Sequence, residues 1–215
     1  MGIIKQRIKR LYSRVKLSRL YQIHNTLANL FFRHNNLFFV LFRGVFNRNQ
    51  IMLGRNVVLK NCRFEICGTR NFIKIGDDCR ICGLRVYINS DCNRLIIGRN
   101  TIVNASKDQR TLFNPCNGGE ISIGDNCLFS NNIELHTTDY HKIISDGVNV
   151  NLTKNIVIGK HCWIGLQTLI LKGTVLPDNV IVGAKSLVNR QIEESNVIIA
   201  GNPAKIIKRD VNWTI

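Results

Sequence analysis

Proline is scarce in this 215-residue sequence, and no long apolar run occurs in it. The three prolines leave little scope for a disordered linker, and the length allows one domain with a sizeable core. The most apolar run, residues 37–42, lies between Arg33 and Arg43, whereas a helix needs about 20 apolar residues to cross a bilayer. We therefore expect no transmembrane span. An apolar stretch followed by a small-residue cleavage site is also missing, so secretion is unsupported.

Acidic residues are absent from the first 64 positions, which contain 13 lysines and arginines. This part of the chain supplies +13 of the net charge of +16, and the remainder is close to neutral. Four aliphatic residues in it follow spacings of four, three and four, which place them on one face of a helix; they are Ile4, Ile8, Leu11 and Val15. We expect residues 1–50 to form a basic, helical N-terminal extension.

Two roles remain open for this extension. A basic amphipathic helix is typical of a segment that lies on an anionic membrane surface, where each basic residue contributes about 1 kcal/mol. Alternatively, its apolar face caps the open end of a solenoid. Nucleic-acid binding is not expected, because no recognised binding motif accompanies the charge. We expect a cytoplasmic protein, with peripheral contact at the inner face of the membrane through residues 1–50 as an open alternative.

An aliphatic residue recurs at every sixth position between residues 158 and 188; the six are Ile158, Ile164, Ile170, Leu176, Val182 and Val188. A period of six is neither helical nor a plain alternation. Each step is therefore a short strand plus a corner, and three steps form one triangular coil of a parallel β-helix. Two residues before each later aliphatic residue stands a small or β-branched side chain that suits a narrow interior. The alternative is an ordinary sheet protein with accidental spacing.

The same pattern extends upstream, with breaks in its phase. Ile75, Ile97 and Ile123 each begin an aliphatic-Gly-polar-polar phrase, but they are separated by 22 and 26 residues, which are not multiples of six. Insertions must therefore lie in those coils. We expect the β-helix over residues 51–190, followed by a closing segment at 191–215.

Cysteine usage fits this interior better than it fits a metal site. Four of the eight cysteines lie two residues before a large apolar residue that should point inward; they are Cys62, Cys79, Cys127 and Cys162. Reduced cysteine behaves as a small hydrophobe, so we expect buried free thiols. Cys79 and Cys82 have a C-x-x-C spacing, but no second pair supports a zinc site.

The longest interruption of the repeat, residues 136–155, is polar and contains two histidines. Function usually lies where a loop leaves a regular solenoid. Histidine can take up a proton near neutral pH, and a nearby carboxylate can orient its ring. His141 with Asp139 is therefore a candidate catalytic pair.

Four phrases around this loop resemble the ordered signature of the hexapeptide-repeat O-acetyltransferases. They are T-D-Y-H at 138–141, H-C-W-I-G at 161–165, G-A-K-S-L-V at 183–188 and G-N-P-A-K at 201–205. The galactoside/maltose, xenobiotic and surface-polysaccharide acetyltransferases are the most similar groups. The resemblance covers about residues 53–209.

This resemblance implies a left-handed parallel β-helix that assembles as a homotrimer, with active sites between subunits. It also implies acetyl-CoA as co-substrate and no required metal. His141 would be the general base for an acceptor hydroxyl that attacks the thioester directly, without an acyl-enzyme. The backbone N–H of Leu166 would stabilise the oxyanion, a contribution of about 3 kcal/mol.

The resemblance further implies six positions close to CoA: Trp163, Gly165, Gly183, Ala184, Lys205 and Lys208. Trp163 would also border the acceptor, unless it packs at a trimer contact, and the two lysines would face the CoA phosphates, unless they belong to a solvated tail. We expect His136 in the acceptor site, with roles as the base or as a loop hydrogen bonder left open. His161 should be structural.

The sequence therefore predicts an acetyl-CoA-dependent O-acetyltransferase acting on a sugar hydroxyl of a cell-surface polysaccharide or its precursor. Three alternatives remain: an amino-sugar N-acetyltransferase, a zinc protein of the γ-carbonic-anhydrase type, and a non-enzymatic scaffold. The zinc alternative would recruit His136, His141 and His161 across a subunit interface.

Overall fold

A computed structural model describes residues 36–38, 40–43, 48–106, 108 and 111–214. Within these residues the regular secondary structure consists of β-strands, and no α-helix is present. The first three coils are β1 (Asn36–Phe38), β2 (Leu41–Arg43) and β3 (Gln50–Leu53); β4 (Val58–Lys60), β5 (Arg63–Ile66) and β6 (Phe72–Ile75); and β7 (Arg80–Cys82), β8 (Leu84–Ile88) and β9 (Arg94–Ile97).

Three further coils and a closing region follow. The fourth coil is β10 (Ile102–Asn104), β11 (Thr111–Asn114) and β12 (Glu120–Ile123). The fifth is β13 (Leu128–Phe129), β14 (Glu134–His136), a hairpin of β15 (Ile144–Ser145) and β16 (Val148–Asn149), and β17 (Ile156–Ile158). The sixth is β18 (Trp163–Ile164), β19 (Leu169–Leu171) and β20 (Val175–Leu176). The closing strands are β21 (Val180–Val182), β22 (Leu187–Val188), β23 (Val197–Gly201) and β24 (Ala204–Lys208).

Strands of successive coils pair in parallel and build three sheets around one core. Sheet A has the order β1-β4-β7-β10-β13-β18-β21-β23-β24, sheet B β2-β5-β8-β11-β14-β19-β22, and sheet C β3-β6-β9-β12-β17-β20. Antiparallel pairing occurs between β23 and β24 and within the hairpin. The six periodic aliphatic residues from Ile158 to Val188 are at most 2% exposed, so the predicted β-helix is confirmed. Burial of one such side chain contributes about 1.5–3 kcal/mol.

The four cysteines assigned to the interior are buried there, as predicted. Burial raises the pKa of the Cys62 thiol to about 12 and that of Cys79 to about 11. Both side chains are therefore neutral at physiological pH and act as packing groups.

The β-helix begins earlier in the chain than the sequence pattern indicated. The helix predicted for residues 1–50 is wrong over its last part, because β1 pairs with β4 and β2 pairs with β5. Val40 is buried in the core, and the ring of Phe42 stacks on that of Phe64 with centroids 4.9 Å apart. These residues fill the interior without the Gly-polar-polar phrase that marks later coils. The helix, membrane and cap predictions for residues 1–35 lie outside the described residues.

The coils differ in length. The register of sheet C aligns Leu53, Ile75, Ile97, Ile123, Ile158 and Leu176, so successive coils contain 22, 22, 26, 35 and 18 residues. Many of the added residues lie at the corner from sheet B to sheet C, where buried Asn71 and Asn93 stack. The Oδ1 of Asn71 accepts the backbone N–H of Asn93 at 2.8 Å. The 35-residue coil contains the loop at 136–155, and no helix in the described residues is suited to crossing a membrane.

Candidate active site

The long loop leaves sheet B after β14 and returns to the wall at β17. Its outer part is the antiparallel hairpin β15–β16, and the N–H of Val150 donates to the carbonyl of Ile143 at 2.9 Å. The loop is therefore an ordered projection at the corner between sheets B and C.

His141 lies on this loop with its backbone fixed and its ring open. Its N–H donates to the carbonyl of Asp139 at 2.8 Å, and its carbonyl accepts a hydrogen bond from Asn151 Nδ2 at 2.7 Å. The side chain is exposed, and its ring makes no hydrogen bond within the described part of the chain. Both ring nitrogens are therefore available to a substrate.

A lysine from the next coil fastens one side of the loop. Lys172 Nζ lies 2.7 Å from Asp139 Oδ2, and it also donates to Asn151 Oδ1. The Lys172 side chain is only 16% exposed, whereas that of Asp139 is 44% exposed. The Asp139 carboxylate thus faces Lys172, while its predicted role in orienting the His141 ring stays a prediction. No pattern in the sequence indicated Lys172, which lies at an ordinary corner.

The preceding coil fastens the other side. The Tyr140 hydroxyl donates to Asn114 Oδ1, and desolvation raises the pKa of this phenol to about 12. Thr138 Oγ1 accepts hydrogen bonds from the N–H of Tyr140 at 3.1 Å and from Asn117 Nδ2 at 3.2 Å. The T-D-Y-H phrase is therefore anchored to the coil before it and to the coil after it.

His136 lies at the end of β14, at the base of the loop. Its Nε2 is 3.0 Å from Glu134 Oε2, and its side chain is 20% exposed. The structure thus gives this histidine a hydrogen-bonding partner of its own, on the strand that leads into the loop.

Leu166 has an unoccupied backbone donor at the corner after β18. Its N–H has no hydrogen-bond acceptor among the described residues, because the aligned residue of the next coil is Ala184, which carries no side-chain oxygen. Some other corner N–H groups are capped by a side chain of the following coil. The backbone N–H of Arg99, for example, donates to Asp125 Oδ1 at 2.9 Å. The open N–H of Leu166 can therefore bind a developing oxyanion.

Several predicted CoA-contacting positions line up along this corner. The sheet register places Gly165 beside Gly183, and Gly183 beside Ala200, which pairs with Lys205. A Cβ on Gly165 would lie 2.6 Å from the carbonyl oxygen of Val182, so a side chain does not fit. Three strand spacings, about 14 Å, separate the glycine at the start of this line from Lys205.

Two other predicted residues lie off that line. Trp163, in β18, is 38% exposed, and its Nε1 is 3.5 Å from Ser130 Oγ. Lys208 is exposed at the far end of β24, opposite Ile198. It lies about 10 Å along the strand from Lys205.

Trp213 is a residue that the sequence pattern missed. Its Nε1 donates to the carbonyl of His161 at 2.8 Å, and the two rings stack with centroids 4.4 Å apart. These contacts match the structural role expected for His161. The feature of the sequence that could have indicated Trp213 is the scarcity of tryptophan, since the chain contains only two.

Comparison with known proteins places the chain in a class of enzymes. No protein-family model matches it. A polysialic acid O-acetyltransferase of Neisseria meningitidis is 33% identical over 169 residues, which are 78% of this chain and 76% of that protein. A solved structure of a polysialic acid O-acetyltransferase has a TM-score of 0.80 and 29% identity, and the match covers 86% of this chain and 85% of that one. The chain belongs to the hexapeptide-repeat O-acetyltransferases, so the predicted acyltransferase class is confirmed.

Two shorter matches agree with this family. A polysialic acid O-acetyltransferase of Escherichia coli O1:K1 / APEC is 32% identical over 123 residues, 56% of this chain and 38% of that protein. The galactoside O-acetyltransferase of Escherichia coli (strain K12) is 35% identical over 95 residues, 43% of this chain and 45% of that protein.

Proposed function

We propose that the protein transfers the acetyl group of acetyl-CoA to a hydroxyl group of a cell-surface polysaccharide or its precursor. The observation that carries this proposal is the open ring of His141, on a loop anchored from both neighbouring coils, in a member of an O-acetyltransferase family. The relative that matches over most of the chain is named for polysialic acid, a carbohydrate polymer, which supports a glycan acceptor.

In the proposed reaction, the acceptor oxygen attacks the thioester carbonyl carbon while His141 takes the hydroxyl proton. A C–O bond forms, the C–S bond breaks, and the CoA thiol leaves with that proton. General base catalysis of this kind contributes about 10²- to 10⁴-fold. Direct transfer needs no nucleophile from the protein, and the buried, neutral thiols of Cys62 and Cys79 are unsuited to that role.

The corner after β18 would complete the catalytic machinery. The N–H of Leu166 has no acceptor of its own in the described residues, so it can stabilise the oxyanion without breaking a hydrogen bond. The side-chain-free line from Gly165 past Gly183 would let the pantetheine arm lie close to the backbone. Lys205 ends that line as an exposed cation suited to a phosphate group, and Trp163 would flank the thioester.

We also propose that the protein acts as a homotrimer. Five apolar side chains on the loop are 57–63% exposed: Ile143, Ile144, Val148, Val150 and Leu152. Exposed apolar side chains grouped on one loop are a feature of interaction surfaces. A neighbouring subunit would cover them and would bring a second wall to the open ring of His141.

Cytoplasmic location and contact with the membrane through the basic N-terminus also remain proposals. Vesicle flotation with anionic lipid, comparing the full chain with a variant that lacks residues 1–35, tests the contact. Binding that is lost on deletion and weakened by salt supports it. Binding that neither change affects contradicts it.

The activity itself is tested by measuring thiol release from acetyl-CoA against a panel of glycans. We expect His141→Ala to lower kcat by about 10²- to 10⁴-fold and Lys142→Ala, at an exposed residue of the same loop, to retain most activity. The base assignment is wrong if His136→Ala abolishes turnover while His141→Ala does not. Loss of the labelled acetyl group in mild alkali identifies an ester, and retention identifies the N-acetyl alternative. A tightly bound zinc in the purified protein would favour the anhydrase alternative.

A further inference from the structure

Both tryptophans of the chain lie in one aromatic cluster with His161. The ring of Trp213 stacks on that of His161, with the two planes inclined by only 8°. The ring centroid of Trp163 lies 6.0 Å from that of Trp213, at an interplanar angle of 44°. Attractive aromatic pairs have centroid separations of about 4.5–7 Å. Trp213 therefore packs between a corner histidine and the exposed tryptophan of β18.

The residues after β24, which we call the tail segment (209–214), are fastened to the wall. Arg209 forms a two-pronged ion pair with Glu194, with N–O distances of 2.7 and 3.0 Å. Further along, the indole N–H of Trp213 donates to the carbonyl of His161 at 2.8 Å. The segment therefore returns along the solenoid and delivers one aromatic ring to a defined place.

Trp213 is buried, but it does not pack in the apolar core of the β-helix. The residue is 7% exposed, yet it is not part of the contiguous core cluster that fills the β-helix. It is covered through its contacts with His161 and Trp163, at the outer surface of the wall. A buried indole outside the core needs another explanation.

In the described residues, the hydrogen-bond and ring contacts of the Trp163 side chain are those with Ser130 and Trp213. It is 38% exposed, and its indole N–H is 3.5 Å from Ser130 Oγ, longer than a normal hydrogen bond. We propose that Trp213 is a positioning residue, which holds the Trp163 indole in the orientation that lines the thioester and acceptor site. This inference rests on the proposed function, in which Trp163 flanks that site.

The first test uses fluorescence and needs no activity. Trp163 is the only indole in both Trp213→Phe and Trp213→Ala, so the two variants form a matched pair. Phenylalanine keeps an aromatic ring beside Trp163, and alanine removes it. We expect acrylamide to quench Trp163 about twofold more strongly in Trp213→Ala than in Trp213→Phe, with a red-shifted emission. Equal quenching in the two variants would overturn the proposal.

The second test is kinetic and separates positioning from stability. We expect Trp213→Ala to lower kcat/KM by about 5- to 10-fold, mainly through kcat, and Trp213→Phe to stay within about twofold of the parent. Glu193→Ala, which removes an exposed carboxylate outside the tail segment, should leave the kinetics unchanged. If both substitutions of Trp213 are equally impaired, the indole hydrogen bond and not the ring contact matters, and the proposal is wrong.

Two precautions keep the outcome interpretable. If Trp213→Ala does not fold, as judged by its melting temperature, Trp213→Leu replaces it, since leucine fills most of the volume without a ring. If the parent protein transfers no acetyl group to any acceptor, the proposed function fails, whereas the quenching comparison still reports whether Trp213 orders Trp163.

Discussion

Replacing Lys172 with methionine should impair catalysis although the lysine touches no predicted substrate position. Its ammonium group pairs with Asp139 Oδ2 at 2.7 Å and bonds to Asn151, whose amide holds the carbonyl of His141. Methionine keeps the length of the side chain and removes its charge. The change therefore loosens the support beneath His141 while leaving the histidine itself intact.

The size of the effect follows from the exposure of the two partners. A hydrogen bond to a charged group contributes about 1.5–3 kcal/mol when protected, and an exposed ion pair contributes about 1 kcal/mol or less. Lys172 is 16% exposed and Asp139 is 44% exposed, which places this pair between the two cases, at about 1–2 kcal/mol. Because 1.4 kcal/mol is a factor of about ten, we expect kcat/KM to fall roughly tenfold.

Thiol release from acetyl-CoA, measured over a range of acceptor concentrations, gives kcat/KM and so measures the effect. Lys142→Met is the matched control, because it removes an exposed lysine of the same loop. Lys172→Arg, which keeps a cation near Asp139, should recover part of the loss. If Lys172→Met retains kcat/KM within about twofold of the parent, the clamp does not position His141 and the reasoning fails.

Three other substitutions or reagents probe separate parts of the structure. Ala184→Asn supplies a side-chain oxygen that can cap the N–H of Leu166, so kcat should fall about 10²-fold. Ala184→Val, of similar size but without an acceptor, should lower kcat far less, and equal effects of the two substitutions would exclude the oxyanion role. Tyr140→Phe leaves buried Asn114 without its hydroxyl donor and should lower the free energy of unfolding by about 1–3 kcal/mol, measured by denaturant titration, and an unchanged midpoint would contradict it. Burial raises the pKa of Cys62 from 9.0 to about 12, so a thiol reagent at pH 8 should leave it unmodified in the native protein while labelling the exposed cysteines. The free energy of unfolding should fall as the pH rises above about 9, because the thiol of the unfolded chain ionises there while the buried thiol stays protonated.

The solenoid was predictable because its energetics repeat along the sequence. Every sixth side chain from Ile158 to Val188 meets the same interior, so one pattern describes many residues at once. Strands β1 and β2 escaped prediction because their basic, aromatic-rich sequence lacks the glycine phrase of the later corners. Their assignment depends on pairing with β4 and β5, which no local signal reports.

The candidate site was predictable only where a phrase marks it. His141 lies in a recognisable sequence, and the resemblance pointed to it directly. Lys172 and Trp213 act through contacts with residues far away in the chain, and neither belongs to a periodic pattern. The contact of Lys172 depends on the register between coils, which converts separations of 18 to 35 residues into single strand spacings, and the contacts of Trp213 depend on the path of the chain after β24.

The unequal coil lengths carry a consequence for how this family can change. Because corners of successive coils are joined mainly by local contacts such as the stacked Asn71 and Asn93, a corner can lengthen without disturbing the sheets on either side. The 35-residue coil returns at Ile156 in the same register as its shorter neighbours. We therefore expect that the loop bearing His141 can change without rebuilding the sheets, provided that the residues that anchor it in the two neighbouring coils change with it.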